Sequence, residues 1–180
     1  MEQTMFRNIL VAVDGSRHAE RALTEAIELA TAANGRLTLM TAIPRPPSWA
    51  STPATAAACE PLAAELEREA QQILSDAVQR VPEDVPVTTI LTPKPIRRAL
   101  LAQIKAAHHD LVVMGSRGRG ALTASLLGSV SHFVLNHSPI PVLVIHTEED
   151  QASAEARASG EAKAPADNAP APSSSAPATA

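Results

Sequence analysis

Short, unbroken apolar runs separated by helix-length amphipathic segments constrain this chain more than any other feature. The first run is Ile9-Leu10-Val11-Ala12-Val13, closed by Asp14-Gly15-Ser16. It lacks the in-out alternation of a strand with one wet face, so it reads as a strand buried on both sides, as in a parallel sheet. Residues 17–33 then carry Ala19, Ala22, Leu23, Ala26, Ile27 and Ala30 at spacings of three and four, one face of a helix. Ser16 is its N-cap candidate and Asn34-Gly35 its stop.

The pattern repeats along the chain. Residues 37–43 predict a second strand, ended by Pro44. Residues 44–60, with Pro44, Pro46, Pro47, Trp49 and Pro53, read as a long connection. A helix over 61–80 follows, its buried side marked by Leu62, Leu66, Ile73, Ala77 and Val81, with Pro61 in the first turn, where proline is tolerated. Residues 85–91 predict a third strand, and Pro86 points to a sheet edge because proline cannot donate to the ladder. A helix over 96–108, a strand at 111–114, a glycine-containing loop over 115–128, a helix over 129–137 and a strand at 141–145 complete the order β-α-β-α-β-α-β-α-β. Such alternation implies an open parallel sheet with helices on both faces.

Composition excludes several functions. Residues 148–180 hold six acids and two bases, which accounts for the whole net charge of −4; the thirteen acids and thirteen bases before them balance. A neutral body with no basic stripe offers little to nucleic acid. Residues 147–180 contain no Ile, Leu, Val, Phe, Met or Trp. They cannot bury enough surface to repay ordering, so a domain over 1–147 and a disordered acidic Ala/Pro/Ser-rich tail over 148–180 are expected. The single cysteine, Cys59, forms no intrachain disulfide and reads as a small residue at a loop–helix junction. The first residues show no secretory pattern, and no run of about 18 apolar residues occurs, so a cytoplasmic protein without membrane spans is expected.

Ligands of open parallel sheets sit beyond the carboxyl ends of the strands, where strand order reverses. Two segments suit that place: Asp14-Gly15-Ser16 after strand 1, and Gly115-Ser116-Arg117-Gly118 after strand 4. The second continues to Gly128-Ser129-Val130-Ser131, which opens a helix. Gly115 and Gly118 remove side chains where backbone approaches a ligand or takes positive φ. A helix N-terminus offers free amides and partial positive charge to phosphate, and the Ser129 and Ser131 hydroxyls add donors. The same residues also serve as plain turns and an N-cap. No Gly-x-Gly-x-x-Gly follows strand 1, and no Gly-x4-Gly-Lys-Ser/Thr occurs, which excludes the dinucleotide and P-loop patterns. His108 and His109 are adjacent, and His132 and His137 five apart; neither spacing makes a metal pair. No base suited to γ-phosphate hydrolysis stands out, so no catalytic residue is assigned.

The stretch Asp110-Leu-Val-Val-Met-Gly-Ser-Arg-Gly-Arg-Gly120 resembles the signature of the universal stress protein family. So do residues 127–135, residues 137–145 and the start Asn8-Ile-Leu-Val-Ala-Val-Asp-Gly-Ser16. The resemblance spans about residues 5–146, and the Gly-x2-Gly-x9-Gly-Ser spacing is similar to that of the ATP-binding subgroup. It implies a five-stranded sheet of order 3-2-1-4-5. It implies ATP, accompanied by Mg²⁺, in a crevice where Asp14 meets adenine or ribose and Ala42 offers backbone atoms to the adenine edge. Met114 and Gly115 would line the ribose–phosphate side, and Arg117, Gly118, Gly128, Ser129, Val130 and Ser131 would hold the phosphates. It also implies a regulator working through an unidentified protein partner, with hydrolysis weak at most; a cyclic-AMP-type or vestigial pocket is the alternative. Finally, it implies a homodimer through strand 5, where Val142, Leu143, Val144 and Ile145 would otherwise leave an apolar edge bare. Thr92-Pro93-Lys94-Pro95-Ile96 departs from the family pattern before helix 3.

Overall fold

The structure, a computed structural model, describes residues 6–45, 56–119 and 127–147. The expected disordered tail, most of the proline-rich connection and residues 120–126 of the glycine loop lie outside the described residues. Five strands, β1 (Asn8–Ala12), β2 (Arg36–Ala42), β3 (Val87–Thr92), β4 (Leu111–Gly115) and β5 (Val142–Ile145), alternate with four helices: α1 (Arg17–Ala33), α2 (Ala56–Gln79), α3 (Ile96–Ala107) and α4 (Ser129–His137). All neighbouring strands pair in parallel, in the order β3-β2-β1-β4-β5.

The unbroken apolar runs have the predicted cause. Along the central strands, odd-numbered side chains Ile9, Val11, Leu37, Leu39, Leu111 and Val113 enter a core with α1 and α2. Even-numbered Leu10, Met40, Val112 and Met114 enter a second core with α3 and α4. A strand covered on both faces has no solvent side, and β4 is buried at all five positions. Ser16 caps α1, its Oγ accepting from the Ala19 N–H at 3.3 Å. At the other end, Asn34 takes the left-handed conformation (φ 46°), and the Gly35 N–H reaches back to the Ala30 carbonyl at 2.8 Å.

Two expectations are corrected. Helix α2 begins at Ala56, because alanines 56–58 favour helix, so Cys59 lies within it and Pro61 sits beyond its first turn. There proline costs the helix one hydrogen bond. At 24 residues α2 is about 36 Å long, whereas the seven-residue β2 spans about 23 Å. The helix therefore outruns the sheet: Leu62 is exposed, and the buried stripe is Ala70, Leu74 and Ala77. The second correction concerns β3. Val85 is held in a turn by its N–H bond to the Pro82 carbonyl (3.0 Å), so the strand starts at Val87. Pro86 only precedes it, accepting from the Leu37 N–H at 2.9 Å, though β3 is an edge strand as expected.

Candidate functional site

Strand order reverses between β1 and β4, and the carboxyl ends of these strands open onto a cavity of about 930 Å³. That volume lies within the range of small-molecule sites, roughly 300–1,000 Å³. All ten residues singled out from the sequence line it: Asp14, Ala42, Met114, Gly115, Arg117, Gly118, Gly128, Ser129, Val130 and Ser131.

Asp14 follows β1 and is held at both carboxylate oxygens: Oδ1 accepts from the Ser16 N–H at 3.0 Å, and Oδ2 from the Arg119 N–H at 3.2 Å. It therefore steadies the turn into α1 and also ties down the loop after β4. The neighbouring Gly118 is drawn so close that a Cβ there would collide with Asp14 Oδ2. Across the cavity, α4 begins at Gly128 with no side-chain cap. The first-turn amides of Ser129, Val130 and Ser131 have no partner within the helix, and they carry the positive end of its dipole.

The two lips are pinned together by a residue the sequence reading did not single out. The Ser116 carbonyl accepts from the Gly128 N–H (2.7 Å) and from Ser131 Oγ (2.7 Å), while the Ser116 N–H bonds the Ile145 carbonyl (2.8 Å). Ser116 is fully buried. Its signal was faint: a small polar residue between two glycines directly after a buried strand.

Three role expectations change. Gly115 takes no positive φ; among described glycines only Gly15 does, at 75°. Glycine is needed at 115 because α1 packs there: a Cβ would stand 2.7 Å from the His18 carbonyl carbon and Cβ, and 3.0 Å from the Ala19 N. Gly118 also lacks positive φ, and a Cβ there would meet the Asp14 carboxylate. The Ser131 hydroxyl is not a free donor, since its single proton is committed to the Ser116 and Gly128 carbonyls. Only its backbone amide remains for a ligand. Met114 lines the cavity but is also core, 4% exposed among the α3–α4 side chains.

Thr41, Ile96, Arg119 and His132 also line the cavity and were not assigned to it from the sequence. His132 had a usable signal, since it lies three residues after Ser129 and so on the same helix face. Ile96 opens α3 directly after Pro95, on the carboxyl side of β3. No group of three or more His, Cys, Asp or Glu residues suited to a metal occurs among the described residues. No helix among them is long and apolar enough to cross a membrane.

The chain was compared with known proteins. Residues 5–146 match the model of the universal stress protein family. A universal stress protein of Thermus aquaticus, encoded in a sulfhydrylase 3′ region, is 36% identical over 141 residues, 78% of this chain and 99% of that protein. Among solved structures, universal stress protein UspA from Lactobacillus plantarum is 27% identical with a TM-score of 0.68, covering 79% of this chain and 99% of that one. A universal stress protein in complex with cAMP is 26% identical with a TM-score of 0.52, covering 79% and 98%. Fold, strand order and family match therefore agree: the chain belongs to the universal stress protein family.

Proposed function

We propose that this chain binds an adenine nucleotide, ATP with its accompanying Mg²⁺, and works as a stress-response regulator whose protein contacts follow nucleotide occupancy. One observation carries the reading. The uncapped N-terminus of α4 and the backbone around Gly118, pressed against Asp14, line the same 930 Å³ cavity at the β1–β4 reversal. Main-chain amides at a helix start are suited to phosphate oxygens. The donor set fits the group: amides of Ser129, Val130 and Ser131, with Arg117, would hold phosphates, and Asp14 and the Ala42 backbone would meet ribose and base. Mg²⁺ would be held chiefly by the phosphates rather than by a protein cage. The chain's own contribution is to bind and orient; no base for hydrolysis is assigned. We read the protein as cytoplasmic and as a homodimer through Val142, Leu143, Val144 and Ile145, with nucleic acid not a partner.

A second reading, a cyclic-AMP-type pocket, is favoured by the similar structure in complex with cAMP. Thermal-shift titration with ATP, AMP, cyclic AMP and GTP separates the two. A ligand at a hundred times its dissociation constant adds about 2.7 kcal/mol of stability. ATP should give the largest gain, and Gly118→Ala should reduce it, because the added methyl displaces either the Asp14 carboxylate or the loop. Equal ATP binding by Gly118→Ala would refute the cradle; a gain with cyclic AMP alone would select the second reading.

A further inference from the structure

Resting on the nucleotide reading, we propose that Arg119 is a positioning residue that braces the phosphate side of the crevice against helix α2. Arg119 grips at two points. Its backbone N–H donates to Asp14 Oδ2 at 3.2 Å, and its guanidinium Nη2 pairs with Glu69 Oε1 on α2, fifty residues away in sequence. It also lines both the main cavity and a smaller hollow of about 230 Å³ between α1 and α2, where Ile73, Asp76 and Ala77 of α2 contribute walls. Gly118, whose backbone faces the crevice, is thus clamped between a residue fixed to Asp14 and a loop start fixed by Ser116. The segment from Ser116 to Arg119 is held at Ser116 by β5 and α4, and at Arg119 by the β1 end and α2.

This arrangement gives the Glu69–Arg119 pair a job beyond holding surface charge, and it makes a prediction with an unusual sign. Glu69 is a negative charge paired with Arg119, which lines the proposed polyphosphate site. Coulomb's law alone says that neutralising it leaves ATP binding unchanged or tightens it. The brace says the reverse: without Glu69 the guanidinium is released, the Arg119 amide loosens from Asp14, and the phosphate cradle loses its preorganised geometry. Both partners are substantially exposed (side chains 49% and 41% accessible), so the pair contributes modestly. An exposed ion pair of this kind corresponds to roughly a two- to five-fold change in affinity.

The test is a double-mutant cycle on the full chain: wild type, Glu69→Gln, Arg119→Gln and the double variant, titrated calorimetrically with Mg·ATP and with adenosine. The brace requires that Glu69→Gln weaken Mg·ATP binding two- to five-fold and weaken adenosine binding less, since adenosine meets Asp14 but has no phosphates for the segment from Ser116 to Arg119 to hold. It also requires that Glu69→Gln have no further effect in the Arg119→Gln background. Ligand-free melting midpoints control for folding. Glu69→Gln binding ATP as well as or better than wild type would overturn the proposal, as would an equal loss for adenosine or an undiminished effect in the Arg119→Gln background. Failure of the wild type to bind either ligand would bring down the nucleotide reading itself, and the brace with it.

Discussion

Gly115→Ala should destabilise the fold without abolishing ligand recognition, although residue 115 opens the Gly-x2-Gly-x9-Gly-Ser spacing. Residue 115 ends β4, and a methyl group there would meet the His18 carbonyl carbon and Cβ at 2.7 Å and the Ala19 nitrogen at 3.0 Å. Two of these three are backbone atoms of the first turn of α1, so no flexible side-chain end can swing aside. The helix is capped by Ser16, and Ala19 and Ala22 anchor it in the core. Relief therefore needs a shift of α1 or of the β4 end by several tenths of an ångström. Overpacking of this kind costs about 1–3 kcal/mol. For a domain of this size each kcal/mol lowers the melting midpoint by roughly 2–4 °C, so a fall of about 2–12 °C is expected. Urea and thermal unfolding without ligand measure it directly. Mg·ATP should still raise the midpoint of the variant, because the Ser129–Ser131 amides and Gly118 are untouched. A variant as stable as wild type that has lost its ATP response would refute the reasoning and return Gly115 to a ligand-facing role.

Stability should fall with acid through His109, which is 4% exposed, with Nδ1 3.3 Å from the Asn8 carbonyl and Nε2 without a hydrogen-bond partner among the described residues. Desolvation, opposed by the Asn8 bond and by Asp110, holds its pKa below the ordinary histidine value; Arg36 adds to the lowering. The unfolded chain therefore binds more protons below about pH 6.5, so this contribution is complete above that pH and is lost as pH falls toward the lowered value. His109→Leu should flatten that part of the stability–pH curve, the Asn8 carbonyl keeping its 3.1 Å bond from the Asp110 N–H; an unchanged slope would remove His109 from the account. At the β5 edge, Leu143 is 36% exposed. Leu143→Lys should convert a homodimer to monomer in light scattering behind size exclusion, and a wild-type chain already monomeric at tens of micromolar would rule out pairing through β5.

The fold was legible because its central strands are unambiguous. Ile9–Val13 and Leu111–Met114 contain no polar residue, and only burial on both faces explains that. The strand order was not legible from periodicity and came through the family resemblance. Helix α2 was misplaced at its start because Pro61 looked like an opening signal, while the alanines before it carry no periodic pattern to read. The site was legible as a set of residues but less so as a set of roles. Sequence shows that 115 and 118 lack side chains; it does not show what stands in the space. At Gly115 that is a helix from the chain's beginning, and at Gly118 a carboxylate a hundred residues upstream. Thr41, Ile96 and Arg119 escaped assignment for the same reason: their places at the cavity arise from three separate strand ends meeting, which leaves no local spacing to detect.

The pinch at Ser116 has a consequence for how this lineage can change. The Gly128 N–H and Ser131 Oγ both fasten onto the Ser116 carbonyl, so residues 116 and 128 are held together, and closure entropy grows only slowly with the number of residues that join them. A change in the number of residues joining 119 to 127 would therefore cost the fold only about 0.6 kcal/mol per doubling, while Ser116 keeps the start of α4 against the end of β4.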